Sequence, residues 1–519
     1  MSFNLIRNAR MFFTSNVDVN TGVVKTNGFT ASNTKEIQVL DGLSFSQATG
    51  SETVTINEAG TSPIRGQRSF NTSLEPVELS FSTYMRPFFN EGTGTVGATY
   101  DADDVVDAEE DVLWNAFAAG YVDGTDELIA ASSRTTATAN TAPSTGTMGA
   151  SAAWFQVNGT GDVEPYSKLI FENSGKNQMV KFGVIILMDS TSYVIDNCVL
   201  DQASIDFGLD AIATIAWTAR GSALRSVDLS ATTTPVAGTV TFSGNFLTGD
   251  SPASAVTRTN VSINDATDVF TYASHGLRKG MQVTVAAPGA GALPTGLTAG
   301  TYYVIEVLTA NTFKLSATLN GTSIDATTAG GACNITFNED TTADVAKAKV
   351  TTAPFLANKL SAVTVQDGIG GTGTSYTLAL TGGNITFSNN VTYLTPANLG
   401  TVNKPFTYFT GTRAVSGSIN CYLRTGTNRS AQLLSDMLVG SASDVEPDFK
   451  IVLSIGGANT AGTNRILVTL PACVLTIPAI NTEQVVSSTI NFTAQGYSSS
   501  AFAIDQNNEA TITYYAAKT

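Results

Sequence analysis

The feature that most constrains this chain is an internal repeat. Residues Cys198–Gly221, CVLDQASIDFGLDAIATIAWTARG, align without a gap on Cys473–Gly496, CVLTIPAINTEQVVSSTINFTAQG. Cys198 falls on Cys473, Val199 on Val474, Ile205 on Ile480, Trp217 on Phe492, Thr218-Ala219 on Thr493-Ala494 and Gly221 on Gly496. The pieces upstream recur in the same order. LDGLSFS (Leu40–Ser46) matches GGNITFS (Gly382–Ser388), and Glu75–Phe88 matches Arg413–Gly426 through Val77/Val415, Ser80/Ser418, Tyr84/Tyr422 and Arg86/Arg424. A helical stretch (Glu109–Ala119 against Ser430–Val439) and an apolar run (Lys181–Met188 against Asp448–Ile455) complete each copy. One structural plan is built twice, and any fold must satisfy both copies.

That plan is mainly β. Val77 to Tyr84 alternates apolar and polar residues, the period of a half-buried strand. Val112, Leu113, Ala116 and Phe117 recur at helical spacing, behind acidic residues that suit a helix N-terminus, so this helix packs its stripe on a sheet. Between the copies, from about Val256 to Glu339, short apolar runs alternate with Gly, Pro and Asn turns, as in a small β-domain. Its flanks, SPASAV and EDTTADVAKAKVTTAP, read as linkers, and Ala130–Ala153 as a long loop. The expected organisation is a first repeat domain over 1–225, a linker over 226–255, an inserted β-domain over 256–340 and a second repeat domain over 341–519. A chain of 519 residues exceeds one ordinary core. With 13% charged residues and much Thr, Ser, Gly, Ala and Asn, its strands suit contact with other protein surfaces.

Chemistry is hard to find. A net charge of −16 argues against a surface that grips phosphate backbones. The acidic run Asp101–Asp111 lacks the Gly and closing Glu of a calcium loop and reads as a solvated helix start. His275 is the single histidine, in the turn-like SHGLRKG, so a His-based zinc cluster cannot form within one chain. Gly368, Gly370, Gly371 and Gly373 spell GxGxxG, but the following TSYTLAL is strand-like where a dinucleotide site needs a helix, so a flexible connection or a hairpin turn is expected. The four cysteines form no close pair, as in a protein folded in the cytoplasm with reduced thiols, and the matched Cys198 and Cys473 each occupy the equivalent small buried slot of their own copy. Trp114 and Trp217 read as packing residues. No run of about eighteen apolar residues suggests a membrane span, and the N-terminus lacks the pattern of a signal peptide. Carboxylate pairs for sugar cleavage would need an aromatic cleft, for which three tryptophans are few. No catalytic, cofactor-binding or metal-ligating residue is expected, no cofactor is implied, and the chain does not read as an enzyme. Tyr84, Arg86, Tyr422 and Arg424 are candidate inter-subunit contacts. Each Arg ends a strand after a Tyr, where it would either pair with a neighbouring subunit's acid or stand solvated.

Residues Glu36–Phe88 and the closing segment Ile466–Gly496 resemble the tail tube proteins of tailed bacteriophages. The resemblance implies two tandem β-sandwich or barrel domains, each with a short flanking helix. It further implies that hairpins of neighbouring subunits join into one barrel around a channel. Most such proteins carry one copy and form hexameric rings, so two copies imply stacked rings of three chains with pseudo-sixfold symmetry. The partners so implied are further copies of the chain, tail proteins at the tip and terminator, and DNA passing through the lumen without specific binding. The location implied is the virion tail. The inserted domain belongs outside the tube, because it would block the channel, and outside it would obstruct a tight sheath, which favours a non-contractile tail. An acidic channel wall would repel DNA phosphates. The alternative is a fibre or adhesin that binds cell-surface carbohydrate. A glycan-cleaving enzyme is a third reading.

Overall fold

The computed structural model describes residues 9–14, 16–18, 22–24, 34–62, 64–90, 100, 104–118, 135–138, 154–159, 163–170, 179–188, 192–209, 211–226, 254–273, 275, 277, 282–289, 291–309, 311–318, 321–327, 331–339, 355–368, 373–443, 448–457, 459–478, 480–481, 485–496 and 509–517. The chain is mainly β and divides into two compact units.

One unit comprises Met1–Gln38, Phe182–Asp196 and Leu224–Thr352. In it Arg10–Thr14 pairs antiparallel with both Phe182–Leu187 and Thr34–Ile37. The strands from Ser254–Asn264 to Ala332–Glu339 close into a six-stranded barrel, which removes the edges that short strands would otherwise expose. Its core gathers Val261, Phe270, Val283, Val304, Phe313 and Ile335. His275 is buried against Phe313, their ring centroids 4.8 Å apart. Its Nδ1 accepts from the Leu277 N–H at 2.9 Å and its Nε2 lies 3.1 Å from the Thr309 carbonyl, so both ring nitrogens brace the fold. Most of the expected linker 226–255 lies outside the described residues.

The other unit comprises Val39–Lys181, Asn197–Ala223 and Ala353–Thr519. Its main strands in chain order are β1 (Ser44–Glu58), β2 (Ile64–Tyr84), β3 (Ser192–Asp206, in this unit from Asn197), β4 (Thr214–Gly221), β5 (Ala379–Ser388), β6 (Ala414–Tyr422), β7 (Arg465–Leu475), β8 (Ile480–Asn481) and β9 (Ser487–Ala494). They pair antiparallel in the order β1–β2–β4–β3–β5–β6–β9–β7, with β8 also on β9. Alternation decides the two faces. Leu79, Phe81, Ile215, Trp217, Ile205, Phe387, Ile419 and Phe492 point into the core and are buried. Their neighbours Ser80, Ser82, Thr218, Ser204, Thr386, Ser418 and Asn491 point the other way and are half-buried or exposed. Gly417 faces Phe492 across the β6–β9 ladder, and a Cβ there would meet the Asn384 carbonyl at 2.1 Å and the Phe492 ring at 2.7 Å. Only glycine fits that crossing.

Arg465–Thr469 of β7 continues into a further set of strands through Thr511–Tyr515, Tyr166–Ile170 and Trp154–Asn158. The Arg465–Glu164 ion pair ties this set together, with Arg465 Nη2 2.8 Å from Glu164 Oε2 and both side chains buried. Thr135–Thr138 pairs parallel with Trp154–Asn158, so the stretch 130–153 contains a strand where a plain loop was expected. The rest of that stretch lies outside the described residues. Ala362–Asp367 and Ser375–Thr377 pair as a hairpin around the glycine motif, the second of its two expected forms, with Gly368 at φ +81°. Gly370 and Gly371 lie outside the described residues.

The two described α-helices are α1 (Asp111–Ala118) and α2 (Ser430–Ser443). Their environments differ. All of α1 is buried, and its Trp114 meets Trp217 at 4.8 Å and Phe387 at 5.7 Å, ring centroid to centroid. Trp114 Nε1 donates to Tyr514 Oη at 2.8 Å, and Tyr514 in turn donates to Glu110 Oε1 at 2.6 Å. Helix α2 buries Leu433 and Met437 but leaves Leu438 and Val439 exposed. The acidic run before α1 is not solvated, because Asp104, Asp107, Glu109, Glu110 and Asp111 are all buried. Arg86 supplies positive charge near Glu109 and Glu110. Charge count alone could not see that Arg86, distant in sequence, folds back onto this run.

All four cysteines are buried thiols, Cys198 and Cys473 among them at 0% exposure. Burial pushes the Cys333 thiol up to about 12, and raises Cys421 and Cys473 as well. The thiolate is the reacting species. The native chain is therefore expected to give no rapid reaction with Ellman's reagent, and to release all four thiols after denaturation. A fast-reacting native thiol would contradict the buried placement.

Candidate assembly interface

Among the described residues, no group of three or more His, Cys, Asp and Glu side chains is placed to hold a metal, and no helix is long and apolar enough to cross a membrane. The distinctive surface of this protein is instead a seam, and the edges that resemble it.

The seam joins the copies inside one unit. Gln202–Asp206 of β3, from the first copy, pairs antiparallel with Asn384–Ser388 of β5, from the second, placing Ile205 opposite Ile385 and Ala203 opposite Phe387. Beyond β5 the chain forms a short hairpin, Val391–Leu394 with Thr407–Thr410, that folds over the first copy. Val391, Tyr393 and Tyr408 pack with Met179 and Val199. Tyr393 donates to the Asn197 carbonyl, Tyr408 donates to the Met179 carbonyl at 2.8 Å, and the Val391 N–H donates to Asp201 Oδ1 at 2.7 Å. Burial raises both phenols, which keeps them protonated as donors. Asn389 Nδ2 donates to the Phe117 carbonyl of α1 at 3.1 Å, so α1 roofs the seam through both Asn389 and Trp114.

Each copy also has the half of this seam that the chain does not use. The counterpart of β5 is β1, and among the described residues β1 pairs with β2 alone. The counterpart of the covering hairpin is the extended arm of β1 and β2, whose residues Ser51–Thr55 and Arg65–Phe70 are exposed on both faces. The counterpart of the β3 edge is the segment Ile477–Asn481 around β8. Apolar residues in this segment and in the end of β7 before it face solvent: Val474 is 41% exposed where Val199 is 0%, and Ile480 is 46% exposed where Ile205 is 0%. Ile477 and Val485 are exposed beside them. Pro478, with no N–H to offer, makes this edge a poor template for indiscriminate pairing.

The four residues singled out from the sequence are split by the fold. Arg86 is buried, with its guanidinium 4.3 Å over the Phe355 ring, and Tyr84 meets the same ring edge-on at 5.0 Å. Burial lowers the Arg86 pKa, and the Glu109 and Glu110 charges oppose that shift. Tyr422 and Arg424 are exposed at the entry to α2, where the Arg424 N–H donates to Ser430 Oγ at 2.7 Å. Strand register explains the split. Val77 lies opposite Gly221 while Val415 lies opposite Ala494, whose sequence match is Ala219. The copies are thus slipped by two residues between these strands, a shift that keeps every side chain on its face. Arg86 and Arg424 match in sequence but not in surroundings. The exposed row Val474, Ile477 and Ile480 was missed, although its match to Val199 and Ile205 was visible in the alignment.

These features define a β-structural protein whose most developed surface is a set of open sheet edges, not a cleft. No family model matches the chain. It is similar to the tail tube protein pb6 of Escherichia phage T5, with 24% identity over 497 residues that span 95% of this chain and 73% of that protein. That likeness, nearly end to end, supports a phage tail tube protein, the family its terminal segments resemble.

Proposed function

We propose that this protein is the structural subunit of a phage tail tube, located in the virion tail, and that three chains close head to tail into a pseudo-hexameric ring. The rings stack around a channel for DNA, and the chain has no catalytic role. The reading draws on the similarity to a tail tube protein over 95% of the chain. The single observation that carries the ring is the seam. A chain that already joins copy one to copy two through β3 and β5 presents the complementary halves, β1 and the Ile477–Asn481 edge, at its two ends. Joining those halves between chains repeats the same contact, and a repeated head-to-tail contact closes a ring. Closure would cover the exposed Val474 and Ile480 as the seam covers Val199 and Ile205. The repeat domains over 1–225 and 341–519 would form the tube wall, with the inserted domain over 256–340 outside it. Tyr422 and Arg424, exposed beside α2, remain candidates for contacts across the joint, whereas Arg86 is engaged within its own chain.

Negative-stain electron microscopy of the purified protein, with class averages of end views, tests this. Hollow rings or tubes with three chains per ring are the expected result. Chains that stay monomeric at high concentration, even with tail-tip proteins added, would reject it and favour a carbohydrate-binding fibre.

A further inference from the structure

The helix that roofs the internal seam has a counterpart whose outer face is exposed. With Glu109 set on Ser430, Val112 falls on Leu433, Trp114 on Ser435, Ala116 on Met437, Phe117 on Leu438 and Ala118 on Val439. Val112 and Ala116 are buried, and so are Leu433 and Met437. Trp114 and Phe117 are the residues through which α1 meets the second copy, Trp114 by touching Phe387 and Phe117 by accepting from Asn389 on its carbonyl. Their matches in α2 face solvent. Ser435 is exposed, Leu438 is 51% exposed and Val439 65%. Spaced three and four apart, these residues share one stripe of the helix. The helix itself is anchored from its other side. Leu433 and Met437 are buried, Tyr376 donates to Asp436 Oδ2 at 2.5 Å, and Ser430 Oγ donates to the Tyr422 carbonyl at 2.7 Å.

The same repeat identifies the strand that such a stripe covers. Inside the chain, Trp114 spans from Trp217 of β4 to Phe387 of β5, the two strands that flank β3. Phe387 matches Phe45 of β1. Phe45 lies opposite Leu79 on the core face of the sheet, yet it is only half-buried where Phe387 is 0% exposed. We infer that α2 roofs the joint between chains, its Leu438–Val439 stripe lying over Phe45 of the next copy as α1 lies over Phe387 within one. The inference rests on the ring reading, because a second copy of this chain must bring β1 to α2. Covering two aliphatic side chains and one phenyl ring stabilises the joint by removing apolar surface from water. The two joints differ in one respect. Ser435 stands where α1 has Trp114, and Asn389, whose amide clamps α1, is matched by Gln47, whose Nε2 donates to the Glu75 carbonyl at 2.9 Å. The roof between chains therefore depends on aliphatic contact, whereas the internal one adds a tryptophan and an amide clamp.

The contact is tested by placing the photo-crosslinking residue p-benzoylphenylalanine at position 438, where the matched Phe117 shows that an aromatic side chain suits the helix. Tubes are assembled from a mixture of light and heavy-isotope chains, irradiated and digested. The expected product joins one light and one heavy chain, and its second peptide contains Phe45. Cross-links confined to single chains, or directed at a segment away from β1, overturn the roof. Native chains that form neither rings nor tubes overturn the ring reading beneath it. Leu438→Asp supplies a second test that needs no cross-link. Because Leu438 is half exposed in the single chain, the variant should keep the native circular dichroism spectrum. The concentration at which rings form should rise about tenfold or more, since the carboxylate would be buried against Phe45. Thr257→Asp on the inserted barrel should assemble at the native concentration. Assembly of Leu438→Asp at that same concentration rejects the proposal.

Discussion

Replacing Ile480 with aspartate is expected to leave the chain folded and to abolish ring formation. Ile480 is 46% exposed in the single chain, so a carboxylate there has water and costs the fold little. In a closed ring it would occupy the position of Ile205, which is 0% exposed opposite Ile385. An uncompensated charge placed there costs several kcal/mol per joint, and every joint of the ring carries it. Circular dichroism should match the native chain, while sedimentation velocity should show monomers only. Thr257→Asp on the inserted barrel should assemble normally. The joint can also be trapped. In the seam, Gln202 lies opposite Ser388 and Ser204 opposite Thr386. Ile477→Cys combined with Ser46→Cys or Ser44→Cys covers both registers that the two-residue slip allows. Oxidised assemblies should give covalent trimers with one of the two combinations. Normal rings from the Ile480→Asp variant, or no cross-link from either combination, would refute this joint.

Trp114→Ala is expected to cost the larger unit about 3–5 kcal/mol, the range for removing a buried tryptophan. The ring is fully buried and touches Trp217 from the first copy and Phe387 from the second, so its loss opens a cavity at the seam. It also removes the indole donor to Tyr514 Oη, disturbing the bond that Tyr514 makes to Glu110. Urea unfolding followed by far-ultraviolet circular dichroism should show a lower midpoint. Trp114→Phe, which keeps most of the volume, should lose less. A change below about 1 kcal/mol for alanine would mean the seam is not held by this helix.

Much of the fold was legible because duplication supplies an internal control. Alternation in Val77–Tyr84 gave β2, the helical stripe gave α1, and the match of Trp217 to Phe492 marked a core position that is buried in both copies. Periodicity reports only which face is apolar, however, and says nothing of what covers it. So Val474 and Ile480 look the same in sequence as Val199 and Ile205, yet both face solvent, and β8, which carries Ile480, pairs among the described residues with β9 alone. The acidic run was misread for a related reason. Its burial depends on Arg86 and Tyr514, contacts far apart in the chain that no local pattern encodes. Arg86 and Arg424 show the same limit, since a two-residue slip between strands gives matched residues different neighbours.

Fusing the two copies changes the arithmetic of closure. If subunits with one copy each misjudge a ring, they can add or omit a single unit, a small change in curvature that a flexible joint tolerates. In the proposed ring, with the β3–β5 joint made within each chain, the count of repeats would change only in pairs. A five- or seven-repeat ring is then out of reach, and the nearest errors, four and eight, demand a bend far from the one already set inside the chain. Parity, enforced by a covalent connection, would thus guard the bore of the proposed tube.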